Sequence, residues 1–230
     1  MTQKGKFIVI DGTDGSGKAT QVDLLDKRLK KEGQKVASID FPRYYDNFFG
    51  EFIGKCLAGH YKGFLSIHPK IVSILYAADR FESSEQINKW LKKGYVVIAD
   101  RYASSNQIHQ GGKITSSLKR RDFLKWLDKM EYEIFKIPRP DLVIYLDVPV
   151  VISQKLLNSD VSRSKKKYLG GRKDIAEKDI KHLENARKSA LKLVKEFNNF
   201  IKINCSEKGK IFEREIIHEK VLQEVKKVLN

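Results

Sequence analysis

The apolar run FIVI at 7–10 leads straight into the glycine-rich segment GTDGSGKAT at 12–20. An apolar strand, a turn with glycines at 12, 15 and 17, Lys18 and a helix start form one unit. In the following helix, read over 18–32, Val22, Leu24, Leu25 and Leu29 fall roughly on one face before Gly33 stops it. A unit of this kind belongs in a parallel α/β sheet. Its glycines let backbone N–H groups turn inward and cradle phosphate oxygens, and its lysine reaches the β- and γ-phosphates. The full pattern, G-x-x-x-x-G-K-[ST], ends in a hydroxyl that holds magnesium. Ala19 stands in that place and has no hydroxyl. Thr20 lies about 100° further round the helix, so the spacing turns it away from where residue 19 points. Magnesium then has Asp14 and Asp100 as its available carboxylates, with nucleotide phosphates and water completing its shell.

The rest of the chain repeats the alternation. Strands are read at 35–40, 95–100, 141–148 and 200–204. Helices are read over 67–92, about 174–198 and 211–229. Strands apolar on both faces, alternating with helices, imply a parallel sheet covered on both sides. No linker or repeat interrupts the 230 residues, so a single domain over 1–230 is expected. Long connections at 41–50, 104–118 and 158–173 are candidates for function. No apolar run is long enough to cross a bilayer, and the N-terminal residues do not read as a signal peptide. Cys56 and Cys205 have no metal-like spacing and read as reduced thiols of a cytoplasmic protein. The net charge of +16 fits a nucleic-acid surface, a lysine-rich proteome or a pocket for a polyanionic small molecule, and charge alone does not separate these.

Ligands of open α/β sheets bind at the carboxyl ends of the strands. The first such end carries Asp14, the second Phe41, Arg43 and Tyr44, the third Asp100, Arg101 and Tyr102. The helical stretch LYAADRF adds Tyr76 and Arg80. Arginines beside a phosphate loop suit a second phosphorylated ligand gripped bidentately, with Phe41 and Tyr76 available to stack a base. Each residue alone reads equally well as a local ion pair or core aromatic; together they favour a second-substrate site.

GTDGSGKATQ, FPRY, AADR, DRYASSNQ, PDLVIYLDVP and the basic segment before DIAEKD, in this order and spacing, resemble the thymidylate kinase family over about residues 6–205. The resemblance implies a P-loop, nucleoside-monophosphate-kinase-like three-layer sandwich with a five-stranded parallel sheet. It implies transfer of the γ-phosphoryl of ATP to dTMP, giving dTDP, with magnesium, in a homodimer. Gly12, Thr13, Asp14, Gly15, Ser16, Gly17, Lys18, Ala19 and Thr20 would hold the ATP phosphates, with Lys18 stabilising the moving phosphoryl. Arg43 and Arg101 would grip the dTMP phosphate, and Asp14 would hold the 3′-hydroxyl region. Tyr76 would stack on thymine and Arg80 would hydrogen-bond it. Ser105, Asn106 and Gln110 fall where the family contacts base and sugar, and Phe41 and Tyr44 would wall the pocket. Such chemistry needs positioning and charge neutralisation rather than a nucleophilic triad.

The basic run RSKKKYLGGRK at 163–173 reads either as a solvated surface or as part of a lid, at about 158–173, that brings arginine to the transferring phosphoryl. The phosphate loop has no arginine of its own, so Arg163 and Arg172 are the catalytic candidates; Asp174 and Glu177 follow where the family has acidic residues. Four departures from the family pattern stand out: Ala19, His109 in place of a frequent tyrosine near the sugar, and Ala176 and Ala190 where larger residues are usual. His60, His68, His182 and His218 share no metal-ligand spacing. Two rival readings are a deoxynucleoside kinase and a basic nucleic-acid-binding protein with a vestigial nucleotide loop. No recognition-helix or RNA-binding motif supports nucleic acid as the partner.

Overall fold

The computed structural model describes residues 4–157, 167–172 and 174–229. Five strands, β1 (Lys6–Gly12), β2 (Val36–Asp40), β3 (Val96–Asp100), β4 (Leu142–Asp147) and β5 (Phe200–Asn204), form one sheet in the order β2-β3-β1-β4-β5. Every neighbouring pair is parallel. The register sets Asp100 opposite both Ile10 and Asp40, so the carboxyl ends of β1, β2 and β3 finish side by side.

β1 explains the layering. Phe7, Ile8, Val9 and Ile10 are all fully buried. Side chains alternate along a strand, so Phe7 and Val9 face one way and Ile8 and Ile10 the other. Phe7 and Val9 pack with Ala77 and Ile87 of α3 (Pro69–Lys92), Phe123 of α4 (Ser117–Asp128) and Ala186 and Leu193 of α6 (Ile180–Glu196). Ile8 and Ile10 pack with Leu25 and Leu29 of α1 (Lys18–Lys31) and Val221 and Val225 of α7 (Arg214–Leu229). The result is a three-layer sandwich with helices on both faces. Two further helices, α2 (Phe48–Leu57) and α5 (Val150–Leu157), pack near the strand ends.

Several expectations need correction. The stretch 41–50 is not all loop, because α2 begins at Phe48; its two glycines had masked the helical pattern. The stretch 104–118 is largely helical: Ala103–Ser105 leads into a π-helical turn at Asn106–Gln110 and a short turn at Gly111–Lys113. Ser116 caps α4 by accepting a hydrogen bond from the Lys119 N–H. The helix expected over 174–198 is broken: Asp174 caps a single turn, Ile175–Lys178, and Asp179 caps α6. Residues 210–211 belong to a small hairpin with 206–207, so the closing helix begins at Arg214. Most of the 158–173 segment, including Arg163, lies outside the described residues.

Candidate active site

The glycine loop sits where β1 ends and α1 begins. Gly15 and Gly17 adopt φ of 79° and 86°, the left-handed region that glycine enters without strain. Gly15 also admits no side chain: a Cβ there would lie 2.4 Å from the Ser153 carbonyl oxygen of α5. Lys18 is buried and its Nζ donates to the Thr13 carbonyl at 3.0 Å. Burial, helped by the nearby Arg101 charge, lowers its pKa to about 8. Behind the loop, the buried hydroxyls of Thr13 and Ser16 have no hydrogen-bond partner among the described residues. A loop that curls its backbone around Lys18 is built for an oxyanion.

Arg101 is the hub of the strand ends. Its backbone sits at φ 67° and its N–H donates to the Ile10 carbonyl at 3.0 Å. Its guanidinium pairs with Asp14, donates to the Gly12 carbonyl at 3.3 Å and contacts His109 Nε2 at 3.1 Å. Burial opposes its charge, but the carboxylates of Asp14, Asp11 and Asp100 more than offset this and hold it firmly protonated. Asp11 is fully buried and accepts from the Gly12 N–H, Ser104 Oγ and Ser105 Oγ, tying the loop to the segment after β3.

One cavity of about 600 Å³ joins these parts. One end is lined by Asp14, Gly15, Gly17, Lys18, Ala19 and Thr20. The other is lined by Phe41, Tyr44, Tyr76, Arg80, Ser105, Asn106 and Gln110, with Asp100 and Arg101 between. Ala19 and Thr20 both belong to this lining. Gly12, Thr13 and Ser16 are not part of the lining. Arg43 does not line the cavity: its guanidinium pairs with Asp46 at 2.7 Å and Asp40 at 3.7 Å. Arg172 is exposed and also lies outside the lining.

The far end is rigidly built. Arg80 is 2% exposed and bound bidentately by Glu131, its Nε donating at 2.9 Å; the Asn106 amide donates to the same carboxylate at 2.9 Å. This leaves Arg80 further N–H donors at the cavity wall. Gln110 Oε1 is buried and lacks a partner among the described residues, an acceptor waiting for a donor. Tyr44 stacks on Tyr168 at 3.8 Å between ring centres. Tyr168 Oη donates to Asp174 at 3.0 Å, and Ala176 lines the cavity beside it.

Residues 10–216 match the thymidylate kinase family model. The chain belongs to the thymidylate kinase family. A thymidylate kinase from Thermosipho africanus is 34% identical over 86% of this chain and 89% of its own. A probable thymidylate kinase from Thermococcus gammatolerans is 33% identical over 93% of this chain and 94% of its own. A solved structure of the thymidylate kinase from Candida albicans has a TM-score of 0.73 at 19% identity, covering 99% of this chain and 94% of that one, and so shares the fold. The nucleoside kinase and nucleic-acid readings gain no support from these relatives.

Sequence reasoning missed Asp11, Glu131, Tyr168 and His182 as parts of this thymidylate kinase site. Asp11 reads as part of the first strand, and Glu131 lies 51 residues from the arginine it holds. No helix among the described residues is long and apolar enough to cross a membrane.

Proposed function

We propose that this chain transfers the γ-phosphoryl of ATP to the phosphate of dTMP, giving dTDP. The observation that carries this reading is that Lys18 of the glycine loop and Arg101 of the acceptor end line one cavity. A triphosphate and a monophosphate bound in that cavity would meet at this pair of cations. The loop residues Gly12 to Thr20 hold the ATP phosphates; Lys18 and Arg101 neutralise the charge spread over the moving group. An ionised phosphate is already a nucleophile, so positioning supplies the catalysis.

On the acceptor side, Tyr76 and Phe41 flank the base, Arg80 and Gln110 hydrogen-bond it, and Ser105, Asn106 and Tyr44 complete the wall. Arg43 reaches the acceptor phosphate by exchanging Asp46, which is 57% exposed; surface ion pairs are worth at most about 1 kcal/mol, so the exchange costs little. Asp14 serves both the Arg101 pair and the sugar. Of the two lid arginines, Arg163 lies outside the described residues, and Arg172 is the one assigned here to the transferring phosphoryl.

Magnesium is the implied metal, and the residues fit it in part. No group of three or more metal-binding side chains occurs among the described residues, which suits an ion that keeps waters and binds phosphate oxygens. Both carboxylates line the cavity, but Asp14 is paired with Arg101, so Asp100 is the better ligand. Magnesium there would neutralise phosphate charge.

A homodimer is favoured by an apolar stripe on α3, where Ile71, Ile74 and Phe81 are 62%, 45% and 52% exposed at helical spacing. Two buried, free cysteines suit a reducing cytoplasm. The test of the activity is nucleotide-dependent ADP release. Turnover with dTMP supports the reading; turnover with thymidine and none with dTMP overturns it.

A further inference from the structure

His109 and His182 come from different elements and meet beside Arg101. His109 lies in the π-helical turn Asn106–Gln110, and His182 in the first turn of α6, where its N–H is capped by Asp179 at 2.9 Å. Their rings are nearly parallel, 25° apart with centres at 5.4 Å. Arg101 Nη1 stands 3.1 Å from His109 Nε2, and His109 Nδ1 stands 3.3 Å from His182 Nε2. Both rings line the cavity.

These distances fix the protons. A guanidinium donates and never accepts. His109 Nε2 is therefore the acceptor, and neutral His109 carries its proton on Nδ1. That N–H donates to His182 Nε2, so neutral His182 carries its proton on its own Nδ1. In the other His109 tautomer, two donors would face each other at Arg101. Burial keeps His109 neutral, with Arg101, His182 and Lys18 acting in the same direction and only Asp14 opposing. Burial and Lys113 do the same for His182, with Arg101 assisting and Asp179 and Asp14 opposing.

We propose that His109 and His182 form a hydrogen-bonded relay that locks the His109 tautomer and so aims the Arg101 guanidinium at the acceptor phosphate. Both are positioning residues. Asp14, the Gly12 carbonyl and Asp11 hold Arg101 from the loop, and His109 holds it from the segment after β3; losing His109 removes the contact from that segment and leaves the guanidinium to the loop alone. Arg101's role rests on the phosphoryl-transfer reading, but the relay itself does not.

The test separates a relay from mere ring packing. His182→Phe keeps an aromatic ring but removes the acceptor, and His182→Gln restores an acceptor oxygen. Nitrogen-15 spectra of the imidazoles should show His109 protonated on Nδ1 in the wild-type protein; in His182→Phe that N–H loses its acceptor and Arg101 alone still opposes the other tautomer, so an Nε2-protonated fraction should appear. With dTMP as acceptor, kcat should fall roughly tenfold in His182→Phe, with a smaller change in the KM for ATP, and recover in His182→Gln. His109→Phe and the double variant should lose no more than about the same factor, because both break one chain. His109 protonated on Nε2 in the wild type, or an unchanged tautomer and kcat in His182→Phe, overturns the relay. Arg101→Ala is the control. Full activity there refutes the role given to Arg101, while the spectra still judge the relay.

Discussion

Glu131 offers the sharpest test of how the acceptor end is built. It is 1% exposed and holds Arg80, itself 2% exposed, through two hydrogen bonds, and it also accepts from Asn106. Glu131→Ala would leave a guanidinium buried without its counter-charge. Breaking a buried pair from one side costs about 3–5 kcal/mol, because the remaining ion stays desolvated. The Asn106 amide would lose an acceptor as well, a further cost of about 1 kcal/mol. Arg80 lines the cavity where the base is expected, so the same change should raise the KM for dTMP more than the KM for ATP. Urea unfolding measures the stability, and steady-state kinetics with each substrate varied measures the split. Glu131→Gln keeps the shape without the charge and should lie between the two. A loss below about 1 kcal/mol with both KM values unchanged would refute the claim that Glu131 anchors Arg80.

Three shorter predictions follow from the same geometry. Lys18, with its pKa lowered to about 8, carries its charge below that pH and loses it above, so ATP binding by the free enzyme should weaken as pH rises through about 8; titration calorimetry on wild type and Lys18→Arg should show the limb only in the wild type. Asp79 accepts from the Asn47 amide and the Arg43 N–H, yet burial raises its pKa to about 6 from 3.8. The folded state thus binds this proton more tightly than the unfolded one. Stability contributed by the protonated form is full below about pH 4 and lost as pH rises through about 6, by up to about 3 kcal/mol; Asp79→Asn should remove that slope from urea unfolding. Ala19→Ser returns a hydroxyl to the position where the loop pattern holds magnesium, and should lower the magnesium concentration for half-maximal activity; an unchanged requirement would show that Thr20 or the carboxylates already fill the role.

The sheet was legible because its strands are buried on both faces and bounded by glycines and prolines, a signal local to each segment. The phosphate loop was legible for the same reason: Gly12, Gly15, Gly17 and Lys18 are consecutive in one turn. The acceptor end was legible through FPRY, AADR and DRY, whose residues mostly reach the cavity. What escaped depends on contacts made across the fold. Glu131 is a lone acid until α3 and the turn after α4 bring it to Arg80. His182 shares no spacing with His109, yet the π-helical turn sets the two rings together. The pattern does not tell how a residue is held: Arg43 sits in the expected motif, and Asp40 and Asp46 pair with its guanidinium here. α2 escaped because two glycines, Gly50 and Gly54, dilute its helical pattern, and packing rather than propensity keeps them. A Cβ at Gly50 would lie 2.1 Å from the Arg43 carbonyl oxygen, and one at Gly54 would lie 3.2 Å from the Tyr44 ring.

The central claim is that one cavity brings the γ-phosphoryl of ATP to a thymidine monophosphate across Lys18 and Arg101. The most direct measurement is coupled ADP release with ATP and magnesium, offering dTMP, dUMP, thymidine and single-stranded DNA in parallel. The account predicts turnover with dTMP, well above dUMP, and its loss in Lys18→Ala and Arg101→Ala. Turnover with thymidine in place of dTMP, or turnover with dTMP that survives both substitutions, would contradict it.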